Sequence, residues 1–528
     1  MDGLSAVAAE PQTRDGRPAE TQSLLRFMTC GSVDDGKSTL IGRLLADTGS
    51  IPDDQFANLS ADSRRWGTQD GAVDYALLLD GLSAEREQGI TIDVAYRYFS
   101  TPRRSFVVAD TPGHRQYTRN MATGASTADL AVLLVDARKG VVTQTRRHSL
   151  IASTLGVRHL VLAVNKMDLI GYDKAVFDEI TADFHAFAAR LGFTSMVCIP
   201  MAAKRGENVV TAAQTMQWYT GPTLLEHLER VDVQEATEAL PLRLSVQLVS
   251  RTTPEFRGYA GTIAAGTLRK GTRVTVQPAG TTAGVARIVT ADGDLAEAVA
   301  GQAVTIVLDE EIDVSRGDMI AAALQPATVS DTLETTLLWV SDSPLDPERA
   351  YLLKIGAATA AARVEPPRQG IDVESGFLVV MTSLSMNELG KVTVRLDRKL
   401  AFDAYRQSRG TGGFILIDRL THETVAVGFV EQSATSAVAP VAVSMRWPAL
   451  TGESPWRSLA KAFCWRALGS AGTVALAFTL THNQVLAATI GGGEVLSKVL
   501  IFFLHERVWA RVPFGLDRSL GTPWPGDV

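Results

Sequence analysis

A chain of 528 residues is too long for one ordinary domain, and at roughly 150 residues per domain it predicts three or four. Apolar residues make up 46% and charged residues 21%, a globular balance whose apolar surplus gathers at the C-terminal end. The formal net charge of −7 argues against a nucleic-acid partner held by lysines and arginines, and Cys30, Cys198 and Cys464 have no CxxC spacing, so neither a zinc site nor a disulfide framework is suggested.

Residues 1–22 are rich in Ala, Pro, Asp, Glu and Arg with no apolar run, which argues against a secretory signal there and reads as a disordered tail. From residue 23 to 231, short apolar runs alternate with helix-like stretches. The runs are Leu24 to Met28, Phe106 to Ala109, Leu130 to Val135, Leu160 to Val164 and Met196 to Ile199. This rhythm predicts βαβ units around a mostly parallel sheet.

The first apolar run is followed by Gly31-Ser32-Val33-Asp34-Asp35-Gly36-Lys37-Ser38, which fits GxxxxGK[ST], and then by a helical pattern from Thr39 to Leu45. Glycines in such a loop let successive amides turn inward around a phosphate. The helix N-terminus adds partial positive charge, Lys37 spans the β- and γ-phosphates, and Ser38 offers a hydroxyl to Mg²⁺. Thr39 completes the set.

Arg86-Glu87-Gln88-Gly89-Ile90-Thr91-Ile92-Asp93 lies between this loop and the next motif, and Thr91 is expected to offer oxygen to Mg²⁺ and the γ-phosphate. Asp110-Thr111-Pro112-Gly113-His114 closes an apolar run. Asp110 there can hold Mg²⁺ through a water, and the Gly113 amide can reach a γ-phosphate while one is present. His114 is placed as the catalytic residue that orients the attacking water.

Asn165-Lys166-Met167-Asp168 follows the fourth run. The Asp168 carboxylate can accept from N1–H and the 2-amino group of guanine, whereas adenine has no matching donors and would leave a buried acceptor unpaired. Asn165 is expected to tie the base loop to the phosphate loop, and the Lys166 stem to cover the purine. A further contact is expected from the Ala203 amide to the guanine O6.

A charged connector, Val231 to Leu240, leads into two β-rich regions, 241–328 and 331–432. Strands are expected at Leu242 to Val249, Arg273 to Val276, Val392 to Leu396 and Phe414 to Ile417, which predicts two small antiparallel barrels. Residues 433–455 read as a linker and 513–528 as a tail. Between them, in 456–512, Ala467 to Leu480 and Val485 to Leu504 flank a polar break and predict a helical hairpin that crosses the membrane. Lys461 and Arg466 before the pair and Arg507 and Arg511 after it place both ends in the cytosol. A hairpin packed against the barrels is the soluble alternative.

Four ordered motifs make the chain resemble the translational GTPases. Trp218 to Glu226, Phe256 to Thr262, Ala286 to Thr290, Glu311 to Asp318 and Thr411 to Ile415 narrow the resemblance to the large, GTPase subunit of bacterial sulfate adenylyltransferase, over Leu24 to Glu431. The resemblance implies GTP and Mg²⁺ as cofactors and a small catalytic subunit as partner. It also implies a bacterial cytoplasmic setting, and the apolar hairpin at 456–512 is expected to anchor the chain to the inner membrane. That partner makes adenylyl sulfate and pyrophosphate from ATP and sulfate, and GTP hydrolysis would drive the reaction. Where a serine usually precedes Ala203 this chain has Ala202. The segment after Ser454 departs from that family and resembles small bacterial two-helix membrane domains. A translation factor acting on the ribosome, or a membrane-anchored GTP-binding scaffold, would use the same motifs.

Overall fold

The computed structural model describes residues 23–66, 73–78, 91–233, 237–253, 256–373 and 375–433. The expected tails, the linker beyond Ser433, the 456–512 hairpin and Arg86 to Ile90 lie outside the described residues.

The first domain is built on strands β1 (Leu24–Cys30), β2 (Ala95–Ser100), β3 (Ser105–Asp110), β4 (Leu130–Asp136), β5 (His159–Asn165) and β6 (Ser195–Pro200). They lie in the order β2-β3-β1-β4-β5-β6, with β2 antiparallel to β3 and every other pairing parallel. Helices α1 (Lys37–Asp47), α2 (Asp53–Trp66), α3 (Thr118–Thr127), α4 (Thr143–Thr154), α5 (Lys174–Ala188) and α6 (Leu224–Arg230) join and cover them.

Strand β4 shows why the two faces are dry. Leu130, Val132 and Leu134 pack with Leu40, Ile41 and Leu44 of α1, while Ala131, Leu133 and Val135 pack with Met121 and Ala125 of α3 and Ile151 of α4. A strand covered on both faces reads as a continuous apolar run, as the sequence does here. Helix α6 starts at a reciprocal cap in which Thr223 Oγ1 accepts from Glu226 N–H and Glu226 accepts from Thr223 N–H.

The register brings the carboxyl ends of the central strands level. Thr29 stands beside Asp110, and Asp136 beside Asn165. Open α/β sheets bind ligands at this edge, and the segments that begin at Gly31, Asp110 and Lys166 leave from it.

Residues Arg243–Ala322 form an antiparallel sheet closed by pairing of Arg273–Gln277 with Thr281–Thr290. Thr328–Ser433 forms a second, closed by Thr328–Trp339 against Leu389–Phe402. Both expected barrels are present. The expected strand Leu242 to Val249 is instead two strands, Arg243–Ser245 and Leu248–Thr253. Val246 N–H turns out of the ladder to Asp318 O, and Gln247 N–H pairs with Ala260 O, so the run bends between them.

The two barrels are joined by Arg243, whose guanidinium donates to both Asp403 oxygens at 2.8 and 2.9 Å. The second barrel also packs on the first domain, where Tyr405 donates to Leu155 O at 2.8 Å and Tyr405 and Phe429 share a core with Leu155 and Val157. Among the described residues no helix is long and apolar enough to cross a membrane.

Candidate nucleotide site

The turn after β1 is shaped by close approach. Gly36, at φ +95°, caps α1, and a Cβ there would lie 2.6 Å from Asn165 Nδ2. Asp35 is buried and accepts from Ser32 N–H at 2.6 Å, which closes the loop on itself. Burial pushes its carboxyl up from the ordinary range, and the Lys37 charge works against that shift. Lys37 is itself buried, and its ammonium donates to Gly31 O at 3.2 Å and Ser32 O at 2.8 Å. Desolvation pulls its pKa down, opposed first by Asp110 and then by Asp35. A cation held this way, at the start of a helix, suits an incoming phosphate.

Beside Lys37 lies a knot of oxygens. Ser38 donates to Asp110 Oδ2 at 2.8 Å, Thr29 donates to Asp110 Oδ1 at 3.1 Å, and Ser38 Oγ is 3.5 Å from Thr91 Oγ1. Two hydroxyls and a carboxylate are the hard donors that Mg²⁺ takes. The structure therefore brings together all three residues expected at the metal. Gly113 is pressed onto the phosphate loop, and a Cβ on it would meet Lys37 Nζ at 2.5 Å and Gly31 O at 2.7 Å. Thr111 donates to Thr29 O and anchors the segment. His114 is exposed, and its Nδ1 accepts from Gln116 N–H at 3.3 Å.

Asn165 links the two ends of the site. Its Nδ2 donates to Asp35 O at 2.8 Å, and its Oδ1 accepts from Ala203 N–H at 2.9 Å. The first bond is the tie expected from the sequence. The second corrects an expectation, because the Ala203 amide is committed to Asn165 rather than open to a guanine O6. The next amide, Lys204 N–H, has no protein partner among the described residues. Lys166, at φ +63°, reaches Asp34 O and forms an ion pair with Asp136 at 3.0 Å. Burial works to raise the Asp136 carboxyl, but hydrogen bonds from Arg138 and Lys166 hold it well below the usual range.

Two further residues carry no motif signal. His148 on α4 is fully buried and accepts from Gly31 N–H at 3.0 Å. The Gln144 side-chain amide lies 2.7 Å from His148 Nε2 and donates to Gly113 O at 3.3 Å. The pair thus bridges the phosphate loop and the segment that ends in His114. Burial, aided by the Lys37 and Arg147 charges, pushes the His148 pKa down to about 3, so the ring is neutral. A cavity of about 350 Å³ lies among Leu24, Tyr96, Tyr98, Val107 and Ala128, none of which belongs to a motif.

Residues 22–236 match the elongation factor Tu GTP binding domain, and 332–431 match the GTP-eEF1A C-terminal domain-like family. Sulfate adenylyltransferase subunit 1 of Methylorubrum extorquens is 54% identical over 425 residues, covering 80% of this chain and 91% of that protein. The chain belongs to the sulfate adenylyltransferase subunit 1 family. Subunit 1 of Salmonella arizonae is 52% identical over 79% of this chain and 88% of its own. The bifunctional enzyme NodQ of a Rhizobium species is 53% identical over 79% of this chain, which spans 65% of NodQ. In this subunit 1 family member, residues 459–510 also match a family described as predicted membrane protein, outside the described residues.

The narrow resemblance drawn from the five barrel and turn strings is therefore borne out. Those strings occupy structural positions. Gly258, for example, has no room for a Cβ beside Thr305, and Arg287 in Ala286 to Thr290 pairs with Asp294 across a hairpin at 2.7 Å.

Proposed function

We propose that the chain binds GTP with Mg²⁺ along the carboxyl edge of its first sheet and hydrolyses it to GDP and phosphate. Hydrolysis is coupled to a partner subunit's conversion of ATP and sulfate to adenylyl sulfate and pyrophosphate. Family membership supports the overall activity. The observation that carries the site is Asn165, one side chain bonded to the phosphate loop through Asp35 O and to the base loop through Ala203 N–H.

In this reading the amides of residues 31–39 and the Lys37 ammonium hold the phosphates. Ser38 and Thr91 would ligate Mg²⁺ directly and Asp110 through water, and the ion supplies charge neutralisation between β- and γ-phosphate oxygens. Asp110, Thr111, Pro112 and Gly113 face the γ-phosphate. His114 orients the attacking water, and its exposure leaves it free to turn inward. Asn165, Lys166, Met167 and Asp168 surround guanine, with Lys204 N–H in the place first expected of Ala203. Loss of the γ-phosphate releases the segments that hold Thr91 and Gly113, and their movement is what the partner reads.

The domain division that accompanies this is 23–231, 241–328 and 331–432, then a linker and a two-helix membrane domain at 456–512. The match of 459–510 supports the last element, which would hold a cytoplasmic enzyme at the bacterial inner membrane. Release of the full chain from washed membranes without detergent would contradict that anchoring.

Reconstitution with the cognate small subunit tests the function. Sulfate-dependent pyrophosphate release from ATP should rise when GTP is added. An assembled, active complex that ignores GTP would refute the coupling.

A further inference from the structure

We infer that Arg205 is a positioning residue for guanine recognition, pinning the Asp168 carboxylate on the side where Ala202 provides no hydroxyl. The inference deepens the base-end reading given above and rests on it.

Three of the carboxylates at the site are already engaged. Asp35 accepts from Ser32 N–H, Asp110 from Thr29 and Ser38, and Asp136 from Arg138, which donates from its main chain and its guanidinium. Asp168 differs. Its side chain is only 13% exposed, yet among the described residues no hydrogen bond reaches its oxygens. A carboxylate whose lone pairs are open toward the site can accept from a ligand that presents paired donors.

Among the described residues the Asp168 carboxylate forms one ion pair, from Oδ2 to Arg205 Nε at 3.6 Å. Arg205 sits on a closed hairpin. Its amide donates to Ala202 O at 2.9 Å, Gly206 N–H donates to the same oxygen at 2.9 Å, and Ala202 N–H donates to Glu207 O at 3.2 Å. The hairpin is fastened to the site by the Ala203 amide on Asn165. A rigid base thus carries a guanidinium that remains 60% exposed at the mouth.

Recognition of N1–H and the 2-amino group together needs both Asp168 oxygens in the plane of the purine. A carboxylate free to rotate loses that alignment for part of the time. A cation fixed beside Oδ2 restricts the rotation as the base covers the group. The contact matters little to folding, because solvent screens an ion pair with one partner this exposed. Its effect belongs to the ligand, and to the 2-amino group above all.

Inosine triphosphate, which lacks the 2-amino group, separates the two roles. In the full-length protein, Arg205→Ala should weaken GTP binding about fivefold, the upper end for a solvent-exposed ion pair. ITP should lose much less, so the GTP-to-ITP preference shrinks. Arg205→Lys should restore most of that preference, and thermal unfolding checks that each variant is folded. Equal losses for both nucleotides, or no loss, overturn the inference. Asp168→Ala tests the underlying reading, because an unchanged preference there defeats guanine recognition by Asp168 altogether. A preference that collapses in Asp168→Ala but survives in Arg205→Ala defeats the role of Arg205 alone.

Discussion

Asn165→Ala removes two buried hydrogen bonds at once. Asp35 O loses a donor at 2.8 Å and Ala203 N–H loses an acceptor at 2.9 Å, at a residue only 3% exposed. Each orphaned backbone group costs about 1–3 kcal/mol when water does not reach it. Water entering the space left by the side chain relieves part of that, which leaves about 3 kcal/mol for the pair. Both groups belong to loops that the nucleotide must find already formed, so the cost falls on binding. A loss of about 3 kcal/mol corresponds to roughly 10²-fold weaker GTP binding. Titration with a fluorescent GTP analogue measures it, alongside thermal unfolding to separate loop disorder from loss of the domain. Asn165→Asp should be intermediate, because its carboxylate still accepts from Ala203 N–H and cannot donate to Asp35 O. Affinity within about threefold of wild type in a folded Asn165→Ala protein would refute the linkage of the two loops.

Gly113→Ala places a methyl group 2.7 Å from Gly31 O, a main-chain atom that cannot step aside, so the preference for GTP over GDP should fall by at least about tenfold in competition titrations. His148 makes stability depend on acid. Its folded pKa of about 3 lies below the unfolded value, so stability is full above about pH 6.5 and declines as pH falls toward 3, because only the unfolded chain takes up the proton. His148→Asn should flatten the fall in thermal midpoint between about pH 6.5 and 5, and an unchanged slope would show that the ring is protonated in the fold. Asp403→Ala strands the Arg243 guanidinium, whose side chain is 7% exposed, and should cost about 3–5 kcal/mol in chemical denaturation. A cost under about 1 kcal/mol would mean that water already reaches the pair.

What the sequence made legible follows from which interactions are local. Five of the six strands of the first domain were visible as apolar runs, and each run falls inside an observed strand, whereas β2, half exposed and alternating, left no such run. Ser38, Thr91 and Asp110 were legible through their motifs, and the fold brings them together. Ala203 was misread because its amide is taken by a side chain 38 positions away, a choice that no local pattern records. His148 and Gln144 were invisible for a similar reason, since a histidine on an amphipathic helix looks like any other until Gly31 is seen 117 positions away in sequence and 3.0 Å away in space. The break at Val246 escaped because an apolar run does not show where the ladder changes partner.

In the proposed function, the Asp168 carboxylate and a cradle of main-chain amides at residues 31–39 hold opposite ends of one guanine nucleotide. Equilibrium titration of the purified full-length chain with GTP and with ATP, with and without Mg²⁺, tests it most directly. GTP should bind in a Mg²⁺-dependent manner, and ATP at least about 10³-fold more weakly. ATP binding as tightly as GTP, or GTP binding indifferent to Mg²⁺, would contradict it.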